Sequence, residues 1–197
     1  SARRQKEFTE RTQLFMDALD VDEMVGQVLA SEGFSSIEEV AFVDSEEVSS
    51  IEGFDEETAE EIQARAREHL ERIEAENDAK RKELGVADEI RDIPGVNTAM
   101  MVALGKDDIK TLEDFAGCAV DDLVGWRERV DGETKVYEGT FTPFGTTRAE
   151  AEEMVLSARL AVGWITEEDL AAEYAEEGEE GAEGEAAEAP TTEGAPA

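Results

Sequence analysis

Few residues in this chain of 197 could do covalent or metal chemistry. There is one histidine, His69, and one cysteine, Cys118. A single histidine excludes His-His zinc motifs, and a single cysteine cannot close an internal disulfide. No serine, threonine or cysteine stands in a recognisable nucleophile pattern. His69 lies between Arg67 and Arg72 and beside Leu70, which reads as an exposed position on a helix. The acidic run Asp44-Ser45-Glu46-Glu47 lacks the glycine and the terminal glutamate of a calcium loop, so a solvated face is the simpler reading. We expect no catalytic residues, no cofactor site, no metal site and no enzymatic activity.

Two glycines invite a different chemistry. Ile51-Glu52-Gly53-Phe54 and Ile93-Pro94-Gly95-Val96 each hold a glycine between apolar anchors just before a helix. Such a turn tolerates positive φ and lets two helices meet closely. It has the look of a helix-hairpin-helix motif, whose backbone N–H groups at a helix start can receive a phosphate. Charge opposes that use here. Gly53 sits among Glu52, Asp55, Glu56 and Glu57, while Gly95 has Arg91 and Lys106 in its sequence neighbourhood.

The whole chain carries 52 acids against 18 bases, a net charge of −34. Nucleic-acid affinity depends on Lys and Arg displacing condensed counterions, so direct DNA or RNA binding is not expected. Anionic membranes are excluded in the same way, and no run of 18 apolar residues could span a bilayer. We expect a cytoplasmic monomer and read the chain, which starts at Ser1, as part of a longer protein.

The acid is unevenly spread. Residues 1–14 are net +2, residues 15–70 carry 17 acids and two bases, residues 90–166 carry 14 acids and eight bases, and residues 167–197 carry 12 acids and no base. The last segment, rich in Glu, Ala and Gly, offers little to bury against about 1–2 kcal/mol of backbone entropy per ordered residue. We expect it to be disordered.

The elements that hold the glycine turns repeat. Residues 18–51 align without gaps on 93–126, an offset of 75 residues. Leu29 falls on Leu104, Val40 on Phe115, Ala41 on Ala116, Val48 on Leu123 and Ile51 on Trp126. The match resumes at an offset of 92, with Ile62 on Met154 and Ala66 on Ala158, so the second copy holds an insertion of 17 residues. Each copy reads as short helices. Asp22 opens one carrying Met24, Val25, Val28 and Leu29, stopped at Gly33; Ser36 with Glu39 forms a capping box; Asp44 with Glu47 resembles a third start. Asp55 caps a helix burying Ala59, Ile62, Ala66, Leu70 and Ile73, which runs on through Glu74–Leu84 to Gly85. In the second copy Asn97 caps a helix with Met100, Met101 and Leu104, Thr111 with Asp114 starts the next, and Arg148–Gly163 is the last. The insertion 127–145 contains Asp131-Gly132 amid β-formers and predicts a short hairpin or an ordered loop. Trp126 and Trp164 read either as core or as anchors for a partner.

The expected architecture is all-α: two tandem small helical repeats of helix-hairpin-helix or SAM-like type. Its parts are the end of a helix from a preceding domain (1–14), a first acidic repeat (15–73), a charged helical linker (74–89), a second acidic repeat (90–166) with a hairpin-like insertion, and the acidic tail (167–197).

Several stretches are specific enough to suggest a family. They are Phe15-Met16-Asp17-Ala18-Leu19-Asp20-Val21-Asp22-Glu23, then Glu32-Gly33-Phe34 with Ile37-Glu38-Glu39-Val40-Ala41, Ile51-Glu52-Gly53-Phe54-Asp55-Glu56, Thr111-Leu112-Glu113-Asp114-Phe115-Ala116 and Val120-Asp121-Asp122-Leu123. Together they resemble the two C-terminal acidic repeats of the NusA family of bacterial transcription factors, over about residues 1–165. The resemblance implies a non-enzymatic module of a transcription elongation, termination and antitermination factor. Its implied partners are antitermination factors on the first repeat, the C-terminal domain of the RNA polymerase alpha subunit on the second, and the RNA-binding KH domains of its own full-length protein, which the acidic repeat would mask. Ile93, Pro94, Gly95, Val96 and Trp126 are the expected partner-binding residues, with Gly53 and Gly95 as the hairpin glycines. The rival reading is a helix-hairpin-helix DNA-binding module of a repair or replication protein.

Overall fold

The computed structural model describes residues 1–186, and the chain divides into two compact units, Ser1–Lys80 and Arg81–Ala197. The first unit starts with α1 (Ala2–Leu19), which packs on α2 (Glu23–Ser31). Gly26 makes the approach possible, because a Cβ there would lie 3.0 Å from the Thr12 carbonyl oxygen. Thr12 is buried and its hydroxyl donates to the Phe8 carbonyl. Residues 2–14 lie within α1, which continues to Leu19 inside the first unit.

Two short helices follow, α3 (Ile37–Phe42) and α4 (Ser45–Ser49), and then the long α5 (Glu56–Leu84). The starts of α2, α3 and α5 are set by side chains that satisfy N–H groups left open by the helix. Asp22 accepts from Val25 N–H, Ser36 from Glu39 N–H and Asp55 from Thr58 N–H. Two expected caps differ in detail. The Glu39 carboxylate binds the N–H and hydroxyl of Ser35 instead of closing a box on Ser36. Asp44 stands at the start of α4 without a side-chain cap bond.

Phe15, Leu19, Leu29, Val40, Ala41, Val48, Ala59, Ile62 and Ala66 form this unit's core. Each large apolar side chain there removes enough surface from water to stabilise the fold by about 1.5–3 kcal/mol. Several apolar residues expected on buried faces are not in the core: Met24 is 73% exposed, Ile73 is 39% exposed, and Val25, Val28 and Leu70 are only partly covered. Among them Met24 sits on the side of α2 turned away from α1, while Gly26, Leu29 and Ala30 take the inner side.

The second unit takes in the last turn of α5. Arg81 is buried and donates to the Val86 carbonyl, Gly85 stops the helix at φ 75°, and Leu84 and Val86 pack into the core. A 3₁₀ turn (Asp88–Asp92) leads to α6 (Thr98–Lys106), α7 (Leu112–Ala116) and α8 (Val120–Val124). The insertion then forms an antiparallel hairpin of β1 (Trp126–Val130) and β2 (Glu133–Tyr137), with Trp126 opposite Tyr137 and Val130 opposite Glu133. Asp131 (φ 53°) and Gly132 (φ 81°) make its two-residue turn, the conformation that Asp-Gly favours. A 3₁₀ turn (Thr142–Phe144), α9 (Arg148–Ala161) and α10 (Glu167–Ala186) complete the described chain.

The sequence register survives in three dimensions. Shifting α2 and α4 by 75 residues lands on the bounds of α6 and α8, and shifting the start of α5 by 92 lands on the start of α9. Core positions correspond: Phe15 with Ile90, Leu29 with Leu104, Val48 with Leu123, and Ala66 with Ala158 are all fully buried.

One pairing is corrected. Trp126 does not fill the place of Ile51. It leaves the core with the hairpin, 44% exposed and stacked on Tyr137 at 4.7 Å. Phe141, fully buried, fills that place. Its N–H donates to Leu123 O as the Ile51 N–H donates to Val48 O. The hairpin's two ends are pressed together where Gly125 and Gly139 meet, and a Cβ on Gly139 would lie 2.3 Å from the Leu123 backbone.

The acidic segment 167–197 was expected to be disordered. Over Glu167–Ala186 it is helical, started by Thr166, which accepts from Asp169 N–H while the Asp169 carboxylate accepts from Thr166 N–H. Glu and Ala have high helix propensity, and their abundance offsets the interspersed glycines. The rest of that expectation falls on residues 187–197, outside the described residues.

Candidate protein interface

The hairpin glycines occupy different places in the repeat. Gly53 (φ 91°) corresponds at offset 92 to Gly145 (φ 65°), whereas Gly95 (φ 87°) corresponds at offset 75 to Asp20 (φ 51°). A third such pair is Gly33 (φ 96°) and Asp108 (φ 64°). Each repeat therefore uses left-handed backbone at the same three points, and Asp serves in place of Gly twice because its short polar side chain tolerates that region.

Around Gly53 the geometry is open. A Cβ there would meet nothing within 4 Å, so its need for glycine comes from φ and not from crowding. Glu52, Asp55, Glu56 and Glu57 are all exposed around it. The Asp55 carboxyl is held below its usual range by the Thr58 backbone N–H. A phosphate approaching this turn would meet ionised carboxylates, not bases.

The second turn is only partly exposed. Ile93 and Val96 are core residues, 3% and 9% exposed, and only Pro94 and Gly95 face solvent. The expected surface is thereby corrected: the apolar anchors point inward to hold the turn, with the Val96 N–H donating to Ile93 O. Pro94 and Gly95 edge a groove completed by Asn97, Phe144 and Met154, with Glu150 and Glu153 on its rim. Trp126 is not part of its lining. The Met154 methyl lies where a Gly95 side chain would go, 2.9 Å from the added Cβ. Arg91 forms an ion pair with Asp88 at 3.4 Å.

A patch on the first unit was missed from the sequence. Phe42 is 72% exposed at the end of α3. It borders a shallow depression with Phe34 and Val43, rimmed by Glu32, Glu39 and Glu47. The Ser35 N–H and hydroxyl keep the Glu39 carboxyl below its usual range. A signal was present: Ile37, Val40 and Ala41 already satisfy the inward spacing of α3, which leaves Phe42 off that face. The equivalent position in the second repeat is Gly117.

The two lone reactive types do no visible work. Cys118 is buried, and its thiol is pushed up to about 11 by burial and then by Asp122 and Asp114. His69 is half-buried, with Nδ1 3.4 Å from an Arg72 nitrogen. Among the described residues no group of three or more His, Cys, Asp or Glu could hold a metal ion, and no helix is long and apolar enough to cross a membrane.

A family model for the SAM-like helix-hairpin-helix tandem matches residues 21–68, the stretch from α2 into α5. Over 123 residues, 62% of this chain, the sequence is 38% identical to the transcription termination/antitermination protein NusA of Rickettsia prowazekii (strain Madrid E). The chain is similar to NusA. The NusA of Rickettsia conorii (strain ATCC VR-613 / Malish 7) matches over the same length with the same identity. The matched stretch covers 24% of each of these NusA proteins, so the chain corresponds to about a quarter of their length. This agrees with the resemblance to the NusA repeat region carried by the residues quoted above, and the fold is of the expected helix-hairpin-helix kind.

Proposed function

We propose that this chain is a cytoplasmic, non-enzymatic protein-binding module of a transcription elongation, termination and antitermination factor. The observation that carries this reading is the rim of carboxylates around each apolar opening: Glu32, Glu39 and Glu47 about Phe42, and Glu150 and Glu153 about Pro94 and Phe144. Such a surface attracts basic proteins, with charge setting the rate of encounter and the apolar anchors holding the complex. The NusA similarity supplies the setting. In this reading the second repeat binds the C-terminal domain of the polymerase alpha subunit through Pro94, Gly95 and Phe144, with Trp126 on the neighbouring hairpin. The first repeat meets antitermination proteins. An acidic repeat also competes with RNA for the basic KH domains of the longer protein.

Calorimetric titration of the chain with the alpha C-terminal domain tests this. A micromolar complex, about −8 kcal/mol, that weakens as salt rises is expected. No heat at low salt, together with tight binding of duplex DNA, contradicts it and favours the repair-type hairpin.

A further inference from the structure

We infer that α10 is a displaceable strap over a second groove, and that the groove's partner is a basic amphipathic helix; this deepens the proposal that the chain binds proteins. Leu170, Glu173, Tyr174 and Glu177 recur at the spacing of one helical face and turn toward a cavity of about 440 Å³. Its floor includes Val120 and Leu156, and Glu152 and Glu153 of α9 stand on its wall.

The cover fits poorly in two ways. The groove stays partly open beside α10, with Leu170 only half-buried and Tyr174 55% exposed. Charge is also mismatched. Glu173 and Glu177 of α10 share the groove with Glu152 and Glu153 of α9. Arg159 is the one base among the lining residues, and its Nε–H is engaged by the Ala116 carbonyl at 2.9 Å. The strap thus brings two apolar anchors, one turn apart, together with carboxylates that repel those of its seat. A helix with apolar residues one turn apart and Lys or Arg between them keeps the anchors and reverses the repulsion.

The probe is a synthetic 18-residue helix of Leu at that spacing and Lys elsewhere, titrated into the isotope-labelled full chain and followed by amide shifts. Shifts at Val120 and Leu156 accompanied by shifts at Leu170 and Tyr174 are expected. The double variant Leu170→Ser with Tyr174→Ser should bind the probe about tenfold tighter at the same groove. Glu152→Lys with Glu153→Lys should weaken it about tenfold. Thermal melts of both variants check that the fold is kept, since all four positions lie outside the core. Equal affinity for wild type and the Leu170/Tyr174 variant, or shifts that bypass Val120 and Leu156, overturns the strap. Failure of the alpha domain to bind, with these shifts present, sinks the polymerase reading and leaves the strap standing.

Discussion

The two repeats solve one packing problem with different side chains. In the first, the buried Gln63 donates its amide to the carbonyls of Val40 and Val43, closing the end of α3. In the second, the matching position is the apolar Val155, and Arg159 reaches the Ala116 carbonyl at the end of α7 instead. The first repeat passes from α4 to α5 through a short turn at Gly53. The second inserts a β-hairpin at that point and recovers the missing core contact with Phe141. Their surfaces differ too, since exposed Phe42 has Gly117 as its counterpart. What the units share is the helical register and the buried apolar set. What they do not share lies in polar caps, loops and surface, where a partner would discriminate between them.

The largest effect is expected at the substitute core residue. Phe141→Ala should destabilise the second unit by about 3–5 kcal/mol, as removing a buried aromatic side chain does. Denaturant melts should show the second unit's transition moved and the first unit's kept. A shift of under 1 kcal/mol would mean Phe141 does not stand in for Ile51.

Next comes the polar closure. Gln63→Ala leaves the carbonyls of Val40 and Val43 without that donor and should lower the first unit's stability by about 1–3 kcal/mol. Val155→Ala in the second unit leaves no carbonyl unpaired. Following each variant by the exchange rates of the α3 and α7 amides separates a lost hydrogen bond from a lost apolar contact.

Gly53→Val should cost about 1–3 kcal/mol through backbone strain alone, given its φ of 91° and the open space around it. Asp108→Gly, at the matching Gly33 position of the other repeat, should be neutral or mildly stabilising. Equal melts for wild type and Gly53→Val would remove the hairpin assignment.

The smallest effect is a pH dependence. The N–H groups of Lys110 and Thr111 hold the Asp114 carboxyl below its ordinary 3.8. A depressed folded value means that its contribution is present above the unfolded value and is lost as pH falls through the folded one. The melting difference between wild type and Asp114→Ala should therefore be full at pH 7 and shrink on acidification below about pH 4. A difference that is constant down to pH 2 would contradict this.

The helical repeat was legible because buried apolar spacing and N-terminal caps are local signals. Leu29, Val48 and Ala66 predicted their partners across 75 and 92 residues, and Asp131-Gly132 predicted the hairpin turn. The interface was less legible. Ile93 and Val96 looked like exposed anchors because sequence does not say which side of a turn faces the core. Trp126 could be read either as core or as a partner anchor, because the gapless alignment paired it with the buried Ile51 although it starts β1. Phe42 went unnoticed because an apolar residue on a short helix resembles any other core residue until its neighbours are placed. Helix α10 was missed because composition weighs burial and ignores the propensity of Glu and Ala.

In this proposal the acid-rimmed helical repeats meet proteins and not nucleic acid. An amide-shift titration of the labelled chain at physiological salt tests it most directly, with the polymerase alpha C-terminal domain in one arm and duplex DNA in the other. Shifts are expected within 90–165, strongest around Pro94, Gly95 and Phe144, with silence over 15–70 and no shifts with DNA. Shifts of the Gly53 and Gly95 amides on adding DNA, with 90–165 unmoved by the alpha domain, would contradict it.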